Sequence, residues 1–242
     1  MAEEQTNAFT AVGLAELRIE QVGKSMPFTI ALGIMDGTAF PIVKKGAKLP
    51  VRYEQLLASA NSRGIRADFP LLMGNRPLTK DNAELCSITI KAPRFSMKES
   101  GHYRLHVDVE ADGRILIYAN EPDTGKAIKA QIGYDHEVIT KEMIAGFEKE
   151  AAAAAEEDKA TQQKIDKLRK VDKHLSDVHG KYWDRVNKRL TLAEKRQYQL
   201  CCDGITRIVR KGPAALTDEN QALLKTQLEE FDEWEKKFRG RV

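Results

Sequence analysis

From about Pro27 to Tyr134 the chain is cut into short runs of strand character: FTIALGI, AFPIV, YEQLLASA, FPLLM, CSITI, YRLHVDV, RILIYA and AIKAQI. Turn signals fall between them, at Asp36-Gly37, Lys45-Gly46, Arg63-Gly64, Gly74-Asn75, Ser100-Gly101, Asp112-Gly113 and Thr124-Gly125. The clearest run is VDVEADGRILIYA, Val107–Ala119, which alternates, stops at Asp112-Gly113 and alternates again. Period-two apolar spacing gives a strand one buried face, and Asp-Gly between two such runs predicts a hairpin because glycine tolerates positive φ. Many short strands at this spacing predict an antiparallel β-sandwich. Pro41 and Pro70 are expected at edges or bulges, since proline donates nothing to a ladder.

After Tyr134 the period becomes helical. Ile139, Met143 and Phe147 are four apart, and the alanine run Ala151–Ala155 follows, alanine being the best helix former. Leu168, Val171, Leu175, Val178 and Tyr182 form one narrow apolar stripe among Lys and Asp. Thr191-Leu-Ala-Glu194 has the spacing of a capping box and opens another helix with Tyr198, Cys202, Ile205 and Val209 as its apolar face. Gly212-Pro213 ends it, and Leu224, Leu228, Phe231, Trp234 and Phe238 mark a last amphipathic helix. The fold class expected is α+β in two subdomains. Residues 1–26 stay ambiguous, with Leu14, Leu17 and Ile19 fitting a short helix or strand; 27–134 is the β part and 135–242 the helical part.

A net charge of +3 over 242 residues is small, so strong whole-surface attraction to nucleic acid is not expected. The three cysteines, Cys86, Cys201 and Cys202, make no disulfide framework, which suits a reducing cytoplasmic setting. No apolar run is long enough to cross a bilayer, and the first residues lack a signal core, so neither a membrane anchor nor secretion is expected.

Candidate chemistry is sparse. Thr124-Gly125-Lys126 lacks the glycines and setting of a phosphate loop and reads as a hairpin turn. His174 and His179 are five apart, off the spacing of paired helix ligands, so no metal site is expected from them. Asp108, Glu110 and Asp112 read as a solvated strand edge and turn rather than an acid pair or calcium loop. Ser59 has no recognisable His and Asp partners. No catalytic set emerges, no cofactor is called for, and the chain is expected not to be an enzyme. One Cys of the Cys201-Cys202 pair is expected in a helical core, and the basic stretch KIDKLRKVDKHL, interleaved with Asp, as a solvated helix face.

Four strings occur in one order: GNRPLTKDNAEL at Gly74–Leu85, KAPR at Lys91–Arg94, VDVEADGRILIYA at Val107–Ala119 and DTGKAIKAQI at Asp123–Ile132. Together they resemble the substrate-binding half of the DnaK-type (heat-shock seventy) chaperones, in detail from Pro27 to Met143 and beyond that in architecture only. The resemblance implies a β-sandwich whose loops hold an extended apolar peptide under a helical lid. It implies a cleft lined by Ile34, Leu57, Ala67 and Phe69, arched over by Ala60 and Met35, with Leu57 where the family has Phe. It implies unfolded or extended client polypeptides as partners, and an ATPase domain or co-chaperone in trans.

The departures set the remaining expectations. The family's ATPase half and its acidic, Leu-rich linker have no counterpart before Pro27, where LRIEQVGKSM stands. Ser62 replaces the Asp that latches the lid in the family, while Arg94 matches its basic partner and is the expected lid contact. The chain is then either a piece of a longer chaperone or a free-standing holdase-like module. The alternative function is a structural or assembly protein whose helical half, led by the Leu168–Tyr182 stripe, oligomerises or binds a partner.

Overall fold

The computed structural model describes residues 14–58, 66–91, 102–120 and 130–241. The described residues form ten strands followed by four helices: β1 Leu14–Ile19, β2 Thr29–Gly33, β3 Ala39–Val43, β4 Val51–Ala58, β5 Arg66–Gly74, β6 Ala83–Lys91, β7 His102–Val109, β8 Arg114–Asn120, β9 Ala130–Gly133, β10 Val138–Ile139, α1 Lys141–Ala153, α2 Ala155–Val186, α3 Leu192–Arg210 and α4 Asp218–Arg239. The strands make two sheets, ordered β10-β1-β8-β7-β4 and β3-β2-β5-β6-β9. Every pairing is antiparallel except β1 with β10. The fold class is α+β, with two antiparallel-rich sheets and a C-terminal helical region.

Alternation decides which face each strand buries. Ala15, Leu17 and Ile19 of β1, Ile30 and Leu32 of β2, Leu71 and Met73 of β5, Val107 and Val109 of β7, and Ile115 and Ile117 of β8 all enter one apolar cluster. Both sheets therefore feed one core. Within the ambiguous N-terminal segment Leu14–Ile19 is strand: β1 lies between β8 and β10, with Leu17 opposite Ile115 and Ile19 opposite Ile139. The hairpin of Val107–Ala119 is closed by a three-residue loop. Glu110 N–H donates to the Arg114 carbonyl, and Gly113 takes φ +87°. Pro41 lies on edge strand β3, and Pro70 stands next to the irregularity at Leu71/Leu72 on β5.

The string Gly74–Leu85 is a fastened turn. Asn82 Oδ1 accepts from Arg76 N–H, and its Nδ2 donates to the carbonyls of Arg76 and Leu78 at 2.8 and 2.7 Å. Gly74 has φ +148°, and a Cβ there would meet Asn82 Oδ1 at 2.2 Å, so only glycine lets that amide reach the turn. Asn75 Oδ1 accepts from the backbone and hydroxyl of Thr29, pinning the turn to β2.

The structure corrects three expectations. Ile139 belongs to β10, paired with Ile19, because Thr140 caps α1 by accepting from Met143 N–H; helical spacing with Met143 was coincidental. On α3 the buried face is Tyr198, Cys201, Ile205 and Ile208, so Cys201 and Ile208 take the inward places expected of Cys202 and Val209. Asp108 is 9% exposed rather than solvated, because Tyr118 from β8 covers it and donates its hydroxyl at 3.3 Å.

The chain divides into two compact units. One runs to Ile34 and continues over Ala39–Ala155; the other joins the turn Met35–Thr38 to Glu156–Val242. Val138–Ile139 and α1 go with the sheets, since Met143, Ile144 and Phe147 pack on the two-sheet core and Phe28 meets Phe147 edge-on at 6.5 Å. The division falls in the alanine run, whose methyls offer little area to anchor it to either core. In the second unit α2, α3 and α4 share a core that takes in the whole Leu168–Tyr182 stripe together with Tyr198, Phe231, Trp234 and Phe238. The expected capping box forms: Thr191 accepts from Glu194 N–H, and Glu194 accepts from Thr191 N–H. Glu194 is also held by Lys237 at 2.7 Å and Arg241 at 2.9 Å, which keeps its carboxyl well below the usual glutamate range. Among the described residues no helix is long and apolar enough to cross a membrane.

Candidate functional site

The sequence places the candidate cleft at the ends of β2, β4 and β5. In β4 the inward positions are Val51, Tyr53, Gln55 and Leu57, while Arg52, Glu54 and Leu56 face out. Leu57 is 8% exposed and joins the core cluster near the end of its strand. Phe69 is on the inward parity of β5 with Leu71 and Met73, opposite Ile88 of β6. The β2–β5 register pairs Leu32 with Leu71, so its continuation sets Ile34 level with Phe69. Ile34 and Phe69 are both partly buried and packed against the cluster that contains Leu57. Three of the expected lining residues thus belong to or pack on one core, graded from buried Leu57 to half-buried Ile34 and Phe69.

Gly33 keeps β2 close to β5 at this level. A Cβ there would lie 2.8 Å from Pro70 Cγ and 3.2 Å from Thr79 Cγ2, so a larger residue would push the strands apart beside Phe69. Beyond Ile34 the chain turns. Asp36 Oδ1 accepts from Thr38 N–H at 2.9 Å and from its hydroxyl at 2.7 Å, and Gly37 takes φ +79°. This self-bonded turn leaves Met35 87% exposed. Ala60, Ser62 and Arg94 lie outside the described residues, as does Thr124-Gly125-Lys126; of Ala67 only the backbone pairing with Ile90 is described.

Cys86 and Cys201 are buried thiols, and Cys202 is partly buried. Burial drives Cys86 far up and pushes Cys201 up to about 12, so neither is a ready thiolate. Partial burial likewise raises Tyr53 and Tyr118, which leaves both phenols protonated at neutral pH. One grouping was invisible to spacing. His174 Nε2 lies 3.1 Å from Asp232 Oδ1, with Glu235 beside them, 58 residues further along the chain. No local pattern signals such a pair; only the antiparallel return of α4 along α2 could reveal it.

Comparison with known proteins gives consistent matches. A family model described as Hsp70 protein matches residues 13–242. The chain is similar to the chaperone protein DnaK of Mycoplasmoides gallisepticum, 24% identical over 208 residues, covering 86% of this chain and 34% of that protein. It is similar to the DnaK of Akkermansia muciniphila, 26% identical over 182 residues, covering 75% and 28% respectively. It is also similar to the DnaK of Thermoplasma acidophilum, 26% identical over 172 residues, covering 68% and 28%. The chain spans about a third of the length of these relatives. These matches overturn one expectation. A sequence without a recognisable catalytic set does not make this chain a non-enzyme, because the Hsp70 and DnaK proteins it matches are ATPases.

Proposed function

The chain belongs to the Hsp70 protein family, and from that premise we propose that it serves as a chaperone element in which the two sheets form a sandwich that holds extended apolar segments of client polypeptides, with the helical unit as lid. The observation that supports this reading is the half-buried pair Ile34 and Phe69, level with each other in the β2–β5 register and packed on the core that contains Leu57. A client strand gains main-chain hydrogen bonds that ignore sequence, and one side chain in an apolar pocket adds about 1.5–3 kcal/mol. The result is broad, weak selectivity, and a lid lengthens residence more than it adds contact. Ala60, Ala67 and Met35 complete the site in this reading, and Arg94 is the lid contact. An ATPase domain or co-chaperone is the expected partner, and the setting is cytoplasmic.

The alternative, assembly through the helical half, rested on the Leu168–Tyr182 stripe. That stripe is buried in the chain's own helical core and offers a partner no apolar face. Fluorescence anisotropy of a labelled Leu-centred heptapeptide on the full chain tests the proposal. Saturable binding weakened at least tenfold by Phe69→Ser, in a variant that circular dichroism shows to be folded, is the expected result. Equal binding by Phe69→Ser and Ile34→Ser variants that remain folded would overturn it. Leu57 is unsuited to this test, because it belongs to the core.

A further inference from the structure

We propose that His174, Asp232 and Glu235 form a binding site for a divalent transition-metal ion, zinc by its donor chemistry, that ties α2 to α4. Each residue offers one ligand atom, and these atoms all lie within 4.8 Å of one another. Two donors about 2.0–2.1 Å from a tetrahedral ion stand roughly 3.3 Å apart. The His174 Nε2 to Asp232 Oδ1 distance, 3.1 Å, already has that span. Glu235 then needs to close by about 1.5 Å, which a glutamate rotamer change supplies.

The site is held from both helices. Asp232 and Glu235 are three apart on α4 and so share a face. The His174 imidazole is set edge-on against Phe231, 5.4 Å between ring centres and 78° between planes, and Phe231 is fully buried in the helical core. The ring's direction is therefore fixed by packing before any ion arrives. Arg239 donates to Glu235 through Oε1, which points to Oε2 as the metal donor. A groove of about 460 Å³ lined by Lys167 of α2 and by α4 residues reaches Asp232. One imidazole with two carboxylates suits zinc better than magnesium or calcium, which favour oxygen alone.

The test uses the full chain with its cysteines reduced, titrated with zinc chloride by calorimetry, alongside imidazole ¹⁵N NMR. The expected result is one zinc per chain, a displaced Nε2 resonance of His174, and binding weakened at least tenfold in both His174→Ala and Asp232→Asn. Both positions are partly or fully open to solvent, and circular dichroism of each variant confirms that it is folded. Undiminished binding by both folded variants would overturn the site. So would zinc shifts confined to other histidines or to Cys202. So would no binding by about 100 μM, a simple His–Asp ion pair then accounting for the geometry.

Discussion

Tyr198 and Phe69 mark how the two units differ. Tyr198 is 1% exposed, and its ring lies within 6.2 Å of His179, Trp183, Phe231, Trp234 and Phe238. Around it every residue of the Leu168–Tyr182 stripe is buried. Phe69 sits instead at the border of an aliphatic core, packed on one side and open in part on the other. The Leu168–Tyr182 stripe is buried inside the helical unit, whose exposed leucines, Leu192, Leu200 and Leu223, lie outside it, while the two-sheet unit keeps Ile34 and Phe69 half-buried on its core. Where apolar area is left over, a chain can hold something else.

The comparison breaks most visibly if the units share their stability. Both tryptophans, Trp183 and Trp234, are in the helical unit, so their fluorescence reports that unit alone. Tyr198→Ala is expected to destabilise it by about 3–5 kcal/mol, read as a lower urea midpoint by tryptophan fluorescence. Ile117→Ala, at a fully buried position between the sheets, is expected to cost about 2–5 kcal/mol in the circular-dichroism transition and to leave the fluorescence midpoint in place. A fall of the fluorescence midpoint in Ile117→Ala would show that the two cores melt as one.

Smaller changes sharpen the contrast. Gly33→Ala is expected to cost about 1–3 kcal/mol, because the added methyl meets Pro70; chemical denaturation measures it. Thr191→Ala removes the α3 cap and is expected to cost about 1 kcal/mol in the helical unit only. Glu194 gives this clamp a pH signature. Its folded carboxyl titrates below its unfolded value, so its contribution is full above about pH 4.3 and is lost as pH falls through the depressed folded value. The fluorescence midpoint should fall over that acid range in the parent and less in Glu194→Gln. Met35→Ala, at an exposed turn, is expected to change stability by less than about 0.5 kcal/mol while weakening peptide binding.

Much of the fold was legible because the signals were local. Alternation with Asp112-Gly113 gave the β7–β8 hairpin, and Thr191 with Glu194 gave the start of α3. The failures have long-range causes. Leu14, Leu17 and Ile19 mix two parities, and only pairing with β8 and β10 shows that Ala15, Leu17 and Ile19 face inward. Asp108 is buried by a residue ten positions on, Tyr118, which alternation within one strand ignores. Cys201 rather than Cys202 faces the core because α4 approaches from that side, where Cys201 Sγ donates to the Gln227 carbonyl. Of the candidate cleft, resemblance named the residues, and register puts Ile34 and Phe69 level on the core that contains Leu57. Periodicity alone marked all three only as inward-facing, since a cleft wall and a core wall share one parity.

The most direct measurement is photo-crosslinking of a heptapeptide carrying a diazirine leucine at its centre, followed by mass spectrometry of the full chain. Adducts concentrated at Ile34, Met35 and Phe69, and competed away by unlabelled peptide, are the expected result. Adducts spread over α2–α4, or unaffected by competition, would contradict the assignment of the leftover apolar surface to peptide binding.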